Sequence, residues 1–264
     1  MLLPDSFVFT QQNLQDYTDC AYRFYLREIL KLEWPAVESE PIREQEALML
    51  LGTRFHLLCQ QYFSGIPADV LTAQIAQPEL AEWWQNFLKL DLHPEPGSFS
   101  VEKLVSIPFT GYRLAAKVDL LLEVGEKIII YDWKTSQHQP KRQTLLSRMQ
   151  SKVYPLVVSS LASAQNLAPE AVEMVYWYPA FPQTPIRFTY SNAQKDADQT
   201  ELTLLVSEIT AKDEAGFRKT QNEKACGFCR YRSLCDRGKE AGMSEMENEP
   251  ADDEDAFNFD FNAI

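Results

Sequence analysis

The chain has 264 residues, 45% hydrophobic and 12% aromatic, which suffices for one large domain or two modest ones around a sizeable core. No stretch approaches eighteen consecutive apolar residues, so no transmembrane helix and no membrane partner are expected; Met1–Asp5 lacks the basic and apolar regions of a signal peptide. The net charge of −13 is unevenly placed: residues 243–264 carry eight acids and no Lys or Arg, leaving −5 for residues 1–242, so a phosphate backbone is not excluded as ligand.

Residues 10–31 are predicted to form one helix, opened by Thr10 as N-cap, with Leu14, Tyr17, Ala21, Phe24 and Leu26 as its buried stripe. A second amphipathic helix spans about 43–63, and a short third holds Trp83, Trp84 and Phe87. From Phe99 the period changes to that of strands: 99–107, 112–124 and 127–134, with Gly125-Glu126 as a tight turn. A long helix runs from Pro140 to about Ala164, then come strands over 172–178 and 186–190, and Asn192 caps a helix to about Lys212. A cysteine loop, 226–235, closes a single α/β domain over residues 1–242; the acidic tail, 243–264, is too polar to fold alone and is expected to be disordered.

The chemistry concentrates where the apolar strand Ile128-Ile-Ile-Tyr-Asp132-Trp-Lys134 ends. Side chains alternate along a strand, so Asp132 and Lys134 point one way and Tyr131 and Trp133 the other. On the preceding strand Asp119 interrupts Val118 and Leu120, and a hairpin can set it beside Asp132. Two converging carboxylates repel unless a cation neutralises them, and oxygen donors suit Mg²⁺ or Mn²⁺. Such an ion makes a water nucleophile available near neutral pH. Lys134 can orient that water and stabilise charge growing on a phosphate. Alone, the two aspartates would more often be surface groups paired with Lys117 and Lys134. His56 adds a third candidate ligand, and Gln150 and Tyr154, four apart, share one helical face.

The second signal is Cys226-x2-Cys229-x5-Cys235, with Cys20 far upstream. Four thiolates satisfy either Zn²⁺ or an iron–sulfur cluster, and spacing alone does not choose. Cys59, on an apolar helix, reads as a buried core thiol. Reduced cysteines are expected in the cytoplasm, the setting this chain suggests. The cysteine loop lies in a basic stretch: residues 216–240 hold seven Lys or Arg against three acids, a local +4. Lys141, Arg142, Arg148 and Lys152 decorate the long helix and could track a DNA backbone.

Gly52-Thr-Arg-Phe-His56, Ala116-Lys-Val-Asp119, Asp132-Trp-Lys-Thr135 and Gln150-Ser-Lys-Val-Tyr154 together resemble the PD-(D/E)XK nuclease superfamily, in its RecB-like branch. The resemblance spans about residues 10–237. It implies a restriction-endonuclease-like core, a mixed central sheet flanked by helices, with an N-terminal helical insertion and a C-terminal cysteine loop. It implies His56, Asp119 and Asp132 as metal ligands, Lys134 as the catalytic lysine, and Gln150 and Tyr154 as DNA-contacting and supporting residues. Ala116 departs from the glycine common there.

The cysteines are similar to those of iron–sulfur nucleases in this branch, among them a CRISPR-associated spacer-trimming nuclease and the AddAB nuclease domain. This implies a [4Fe-4S] cluster on Cys20, Cys226, Cys229 and Cys235, acting as a structural staple, with Cys20-Ala21 replacing the usual Cys-Pro. The implied activity is Mg²⁺- or Mn²⁺-dependent DNA hydrolysis, as an exonuclease on single-stranded ends, in repair, recombination or CRISPR adaptation. Two other readings stand beside it: a non-catalytic DNA-end scaffold of a helicase–nuclease complex, and a zinc-stabilised RNA-processing enzyme. No Walker A pattern occurs, so unwinding would need a separate motor. The tail, with Phe257, Phe259 and Phe261 after its acids, could dock a helicase, repair or CRISPR partner or mimic DNA.

Overall fold

Thr10 opens the first helix by a reciprocal cap. Its hydroxyl accepts from the Asn13 N–H at 3.3 Å, and the Asn13 side-chain oxygen accepts from the Thr10 N–H at 2.9 Å, which satisfies two donors the first turn leaves open. The computed structural model describes residues 2–33, 40–92, 94–95 and 97–238, of which 40–45 by backbone alone. The acidic tail and the roles expected of it lie outside the described residues.

The single helix expected over 10–31 is instead broken. After strand β1 (Val8–Thr10) come α1 (Gln11–Asp19), α2 (Ala21–Phe24) and one π turn (Tyr25–Ile29). Cys20 sits at the break with φ −160° and ψ 104°. An extended residue cannot continue the helical ladder, and its carbonyl instead receives the Arg23 N–H at 2.9 Å and the Phe24 N–H at 3.3 Å. Hydrophobic periodicity runs through this interruption and so conceals it. Further helices are α3 (Glu40–Phe63), the short α4 (Ala68–Thr72), which the periodicity did not reveal, and α5 (Pro78–Leu88), with proline in its first turn.

Strands β2 (Phe99–Phe109), β3 (Tyr112–Val124) and β4 (Lys127–Trp133) follow as expected, with Gly125 at φ +59° in the turn between the last two. The expected helix over 140–164 divides into α6 (Arg142–Ser147) and α7 (Met149–Ala164), because Arg148 is extended at ψ 147°. Strands β5 (Val172–Trp177) and β6 (Ile186–Thr189) and helix α8 (Asn192–Ala211) complete the series. Ser191, not Asn192, caps α8: its hydroxyl accepts the Gln194 N–H at 3.1 Å, while Asn192 donates to Glu170 from backbone and side chain.

The strands form one mixed sheet in the order β1-β3-β4-β5-β6, with β2 also on β3. β3 and β4 are antiparallel, β4 and β5 parallel through the α6–α7 crossover, and β5 and β6 antiparallel. The fold is therefore mixed α/β, a central sheet flanked by helices.

Two compact units are distinguished: residues 1–49, 108–114 and 201–264, and residues 50–107 and 115–200. In the second, alternation sorts the sheet's faces. Trp133 and Trp177 pack edge to face at 5.8 Å, and Phe87 of α5 and Phe55 of α3 meet this pair at 5.4–6.2 Å. The other face carries Asp132 and Tyr176, directly paired between β4 and β5, against α7. In the first unit, Phe7, Tyr17, Phe24 and Phe217 form a ring-to-ring core.

Gly52 explains how α3 reaches the sheet end. A Cβ built there would lie 2.6 Å from the Thr135 hydroxyl oxygen, just past β4. Only a residue without a side chain permits that approach. Gly52→Ala is expected to destabilise the protein by ~1–3 kcal/mol through overpacking, and Thr135→Ala in the same chain should restore most of it. Urea unfolding of the two single variants and the double variant measures the coupling.

Candidate active site

Asp119 is fixed oxygen by oxygen. Its Oδ2 accepts the Trp133 N–H at 2.8 Å, and its Oδ1 lies 3.3 Å from His56 Nδ1. The β3–β4 register, with Leu120 opposite Tyr131, brings Asp119 to the end of the hairpin where Asp132 emerges. His56 arrives from α3, one residue beyond Phe55, whose ring is anchored in the aromatic core. Burial alone would push the Asp119 carboxyl up. The His56 charge and hydrogen bond, the Trp133 N–H and the Lys134 ammonium outweigh it and hold the group below the usual carboxylate range.

A third donor joins these two: Glu102 of β2. One ligand atom each from His56, Glu102 and Asp119 all lie within 4.8 Å of one another. The sequence reading missed Glu102, since an acid beside Lys103 on a half-buried strand looks like an ordinary solvent-side residue. Its backbone gives it away: φ is +50°, the left-handed region, in the middle of a strand, a strained arrangement for a non-glycine residue that turns its side chain out of the regular alternation. Lys117 pairs with Glu102 at 2.5 Å. Burial first and the Asp119 charge second still raise the Glu102 carboxyl, against the pull of Lys117 and His56. Two carboxylates and an imidazole are a donor set that fits a divalent cation of the Mg²⁺ or Mn²⁺ class.

Asp132 belongs to a second, adjoining network. Its Oδ2 lies 3.0 Å from Lys134 Nζ, both side chains 2% exposed, and its Oδ1 accepts from Gln150 Nε2 at 2.7 Å. Lys134 is held further by its N–H on the Trp177 carbonyl at 2.9 Å, and its ammonium lies 5.8 Å from the Tyr176 ring centroid. The Tyr176 hydroxyl meets Ser151 Oγ at 2.8 Å, which also donates to the Leu145 carbonyl at 2.6 Å. Burial and then the Asp132 charge push the Tyr176 hydroxyl well above its ordinary value, so it stays neutral. Ser151 and Tyr176 were not legible as site residues. Tyr154 is buried, as a core-facing tyrosine would be, while Gln150, four residues earlier, touches the chemistry.

The structure thus brings together His56 and Asp119 with Glu102, and Asp132 with Lys134 and Gln150. Cys59 is 1% exposed in the apolar core, as expected.

The cysteines of the first unit are all free thiols. Cys20, Cys226, Cys229 and Cys235 lie close enough that the charge of Cys20 raises each of the other three, after burial as the main cause; Cys229 is pushed up to about 11. The Lys219 ammonium and the Arg232 guanidinium fix the loop through the Cys235 and Gly227 carbonyls at 3.0 and 2.9 Å. These four part-buried thiols come from both ends of the chain into one region of the first unit, whereas the group of donor atoms within 4.8 Å of one another among the described residues is that of His56, Glu102 and Asp119.

The model of the PD-(D/E)XK nuclease superfamily matches residues 8–236. The chain belongs to this superfamily. Nothing among curated proteins matches it in sequence. Among solved structures it is similar to a candidate exonuclease from Eubacterium rectale, at 11% identity and a TM-score of 0.47 over 77% of this chain and 80% of that one. It is also similar to the protein SSO0001, at 15% identity and a TM-score of 0.46 over 88% and 87%. Among the described residues no helix is long and apolar enough to cross a membrane.

The raised Glu102 carboxyl sets a pH test. A carboxyl whose folded pKa is raised costs stability once ionised, so that cost is relieved as pH falls through the raised value. A bound cation relieves it at neutral pH instead. Mn²⁺ should therefore raise the melting temperature more at pH 7.5 than at pH 5. Glu102→Gln should melt no lower than wild type without metal and lose most of the Mn²⁺-induced rise, read by scanning fluorimetry.

Proposed function

We propose that this nuclease-superfamily chain hydrolyses DNA phosphodiester bonds with Mg²⁺ or Mn²⁺, acting on single-stranded ends as an exonuclease. The observation that carries this is the buried Lys134–Asp132 pair adjoining the anionic group of His56, Glu102 and Asp119. His56, Asp119 and Glu102 would hold the divalent ion, with Asp132 at the border of that group. Bound there, the ion would polarise a phosphoryl oxygen and lower the pKa of a water.

The chain's own residues supply the rest. Lys134 presents its ammonium where charge grows on the phosphate, held in one position by Asp132, the Tyr176 ring and its own N–H on Trp177. Gln150 takes one oxygen of Asp132 and so orients the other toward Lys134. Pre-set groups need no reorganisation during reaction, and the 2% exposure of Asp132 and Lys134 strengthens their fields by excluding water.

Cys20, Cys226, Cys229 and Cys235 would hold an iron–sulfur cluster, which would join chain segments far apart in sequence and restrict the unfolded state. The cluster is a staple in this reading, not a redox catalyst. Single-strand preference and a place in repair, recombination or CRISPR adaptation are taken from the RecB-like resemblance, and a cytoplasmic setting from the reading of the cysteines as reduced.

Lys134→Gln is expected to cut a labelled single strand at least ~100-fold more slowly in Mn²⁺. Removing one partner of a buried ion pair costs ~3–5 kcal/mol, so the double variant Asp132→Asn with Lys134→Gln, free of both charges, serves as the folded control and should also be inactive. Equal, negligible cleavage by wild type would favour a DNA-end scaffold. For the cysteines, anaerobically purified protein should be brown with near-stoichiometric iron, and Cys229→Ala should lose both; a colourless protein carrying zinc would overturn the cluster.

A further inference from the structure

The break at Cys20 leaves an unusual surface in the cysteine-bearing unit. Tyr22 and Tyr25 stack with ring centroids 6.1 Å apart and planes at 24°, and Tyr25 stacks on Phe217 at 5.4 Å and 25°. Phe217 is buried, whereas both tyrosines are part-exposed. Near-parallel rings with centroids this far apart are offset, so the stack is stepped, and both tyrosines keep part of their surface exposed. Phe217 gives the stack a rigid base, being stacked in turn on fully buried Phe24 at 6.0 Å and 7°.

Two features set this array apart from ordinary core packing. Tyr25 opens the π turn, its carbonyl receiving the Leu30 N–H at 2.9 Å. Such turns are rare and recur at functional sites. The stack also lies under a cation, for Lys219 sits over the Tyr22 ring. Lys219 Nζ lies 5.8 Å from the Tyr22 ring centroid, and Arg218, whose carbonyl accepts the Tyr22 N–H at 3.1 Å, is exposed. Lys224 and Arg230 add exposed cations to this basic stretch. Glu214 is the opposing charge, close enough to help raise the Tyr25 hydroxyl after burial has done so.

From these we infer that Tyr22 and Tyr25 form a base-stacking platform for single-stranded DNA, with Lys219 and Arg218 taking the adjoining phosphates. The inference rests on the reading of the chain as a DNA nuclease and adds a strand-holding site in the first unit, apart from the hydrolytic residues of the second. Aromatic steps beside cations hold single strands with little sequence preference, because every base has a π face and every phosphate a charge. Each stacked base is worth ~1–3 kcal/mol by alanine substitution, which is about 5- to 150-fold in affinity.

The test is binding of a fluorescein-labelled dT oligomer to the full chain in EDTA, so that no cleavage intervenes, followed by fluorescence anisotropy. Tyr22→Ala with Tyr25→Ala should weaken binding at least fivefold, Tyr22→Phe with Tyr25→Phe should bind like wild type, and Lys219→Gln should flatten the salt dependence. Glu214→Gln should bind more tightly. Because the alanine variant also removes a ring stacked on buried Phe217, a second measurement uses wild type alone. Ultraviolet crosslinking of a bromodeoxyuridine oligomer, mapped by mass spectrometry, should label Tyr22 or Tyr25. Alanine-variant affinity within twofold of wild type, no binding by wild type, or crosslinks confined to other residues would each overturn the platform. Cleavage in Mn²⁺, measured separately, reports on the hydrolytic reading, and its failure alone leaves the anisotropy result interpretable.

Discussion

The Asp119 carboxylate is the point on which the hydrolytic half of the molecule turns. One of its oxygens is spent on the backbone of β4, through the Trp133 N–H, and the other faces His56 of α3. The two strands of one hairpin and a helix distant in sequence are thereby registered by one side chain. The backbone bond also sets the approach of β3 to the strand that carries Asp132 and Lys134. A buried acceptor with fixed donors is expensive to disturb, so the geometry of the neighbouring groups is inherited from a bond that takes no part in the chemistry.

Around that point the polar residues divide into two networks of opposite electrostatic character. Asp132, Lys134 and Gln150 balance charge locally and satisfy one another, with Tyr176 and Ser151 as neutral support. His56, Glu102 and Asp119 instead gather two carboxylates around one imidazole. Glu102 remains raised although Lys117 is paired with it. Glu102 is raised first by burial and second by the Asp119 anion, which the His56 and Lys134 charges help to keep ionised. Carboxylates pushed apart in this way characterise sites built for a cation or a proton. The strained backbone at Glu102 has the same sense, since a strand residue at φ +50° persists only where surrounding structure overrides its preference.

Much of this was legible beforehand, for identifiable reasons. The hairpin 112–133 announces itself by alternation around a glycine turn. The facing of Asp132 and Lys134 away from Trp133 follows from a period of two, which backbone geometry enforces regardless of context. Gln150 is set beside the chemistry by the family resemblance; its spacing gives only a helix face shared with Tyr154. What escaped was set by tertiary packing. The breaks at Cys20 and Arg148 leave hydrophobic periodicity intact on both sides, and so does the short α4. Glu102 has no local signature, since its role depends on a single left-handed residue inside a strand. Tyr176 and Ser151 become partners only when the α6–α7 crossover lays α7 along β5. Gly52 was recorded as part of a motif, but its reason, the 2.6 Å approach to Thr135, is a property of two elements and of neither alone.

The break at Cys20 joins the two kinds of chemistry in the first unit. Had α1 continued as one helix, Cys20 and Tyr22 would project nearly 200° apart around its axis, at 100° per residue. The extended Cys20 backbone resets that phase. It sets Tyr22 under Arg218 and Lys219 of the returning chain, while Arg23 pairs with Asp16 and Asp19 at 2.8 and 2.7 Å. The buried carboxylate of Asp16 is shared with Arg27 at 3.1 Å, and a buried charge held by two guanidiniums is far less free to rearrange than an exposed pair. That ion network fixes the phase of the segment from α1 to the π turn. A sulfur donor and an aromatic step are then presented from one short piece of chain, which neither a continuous helix nor an unstructured loop would do.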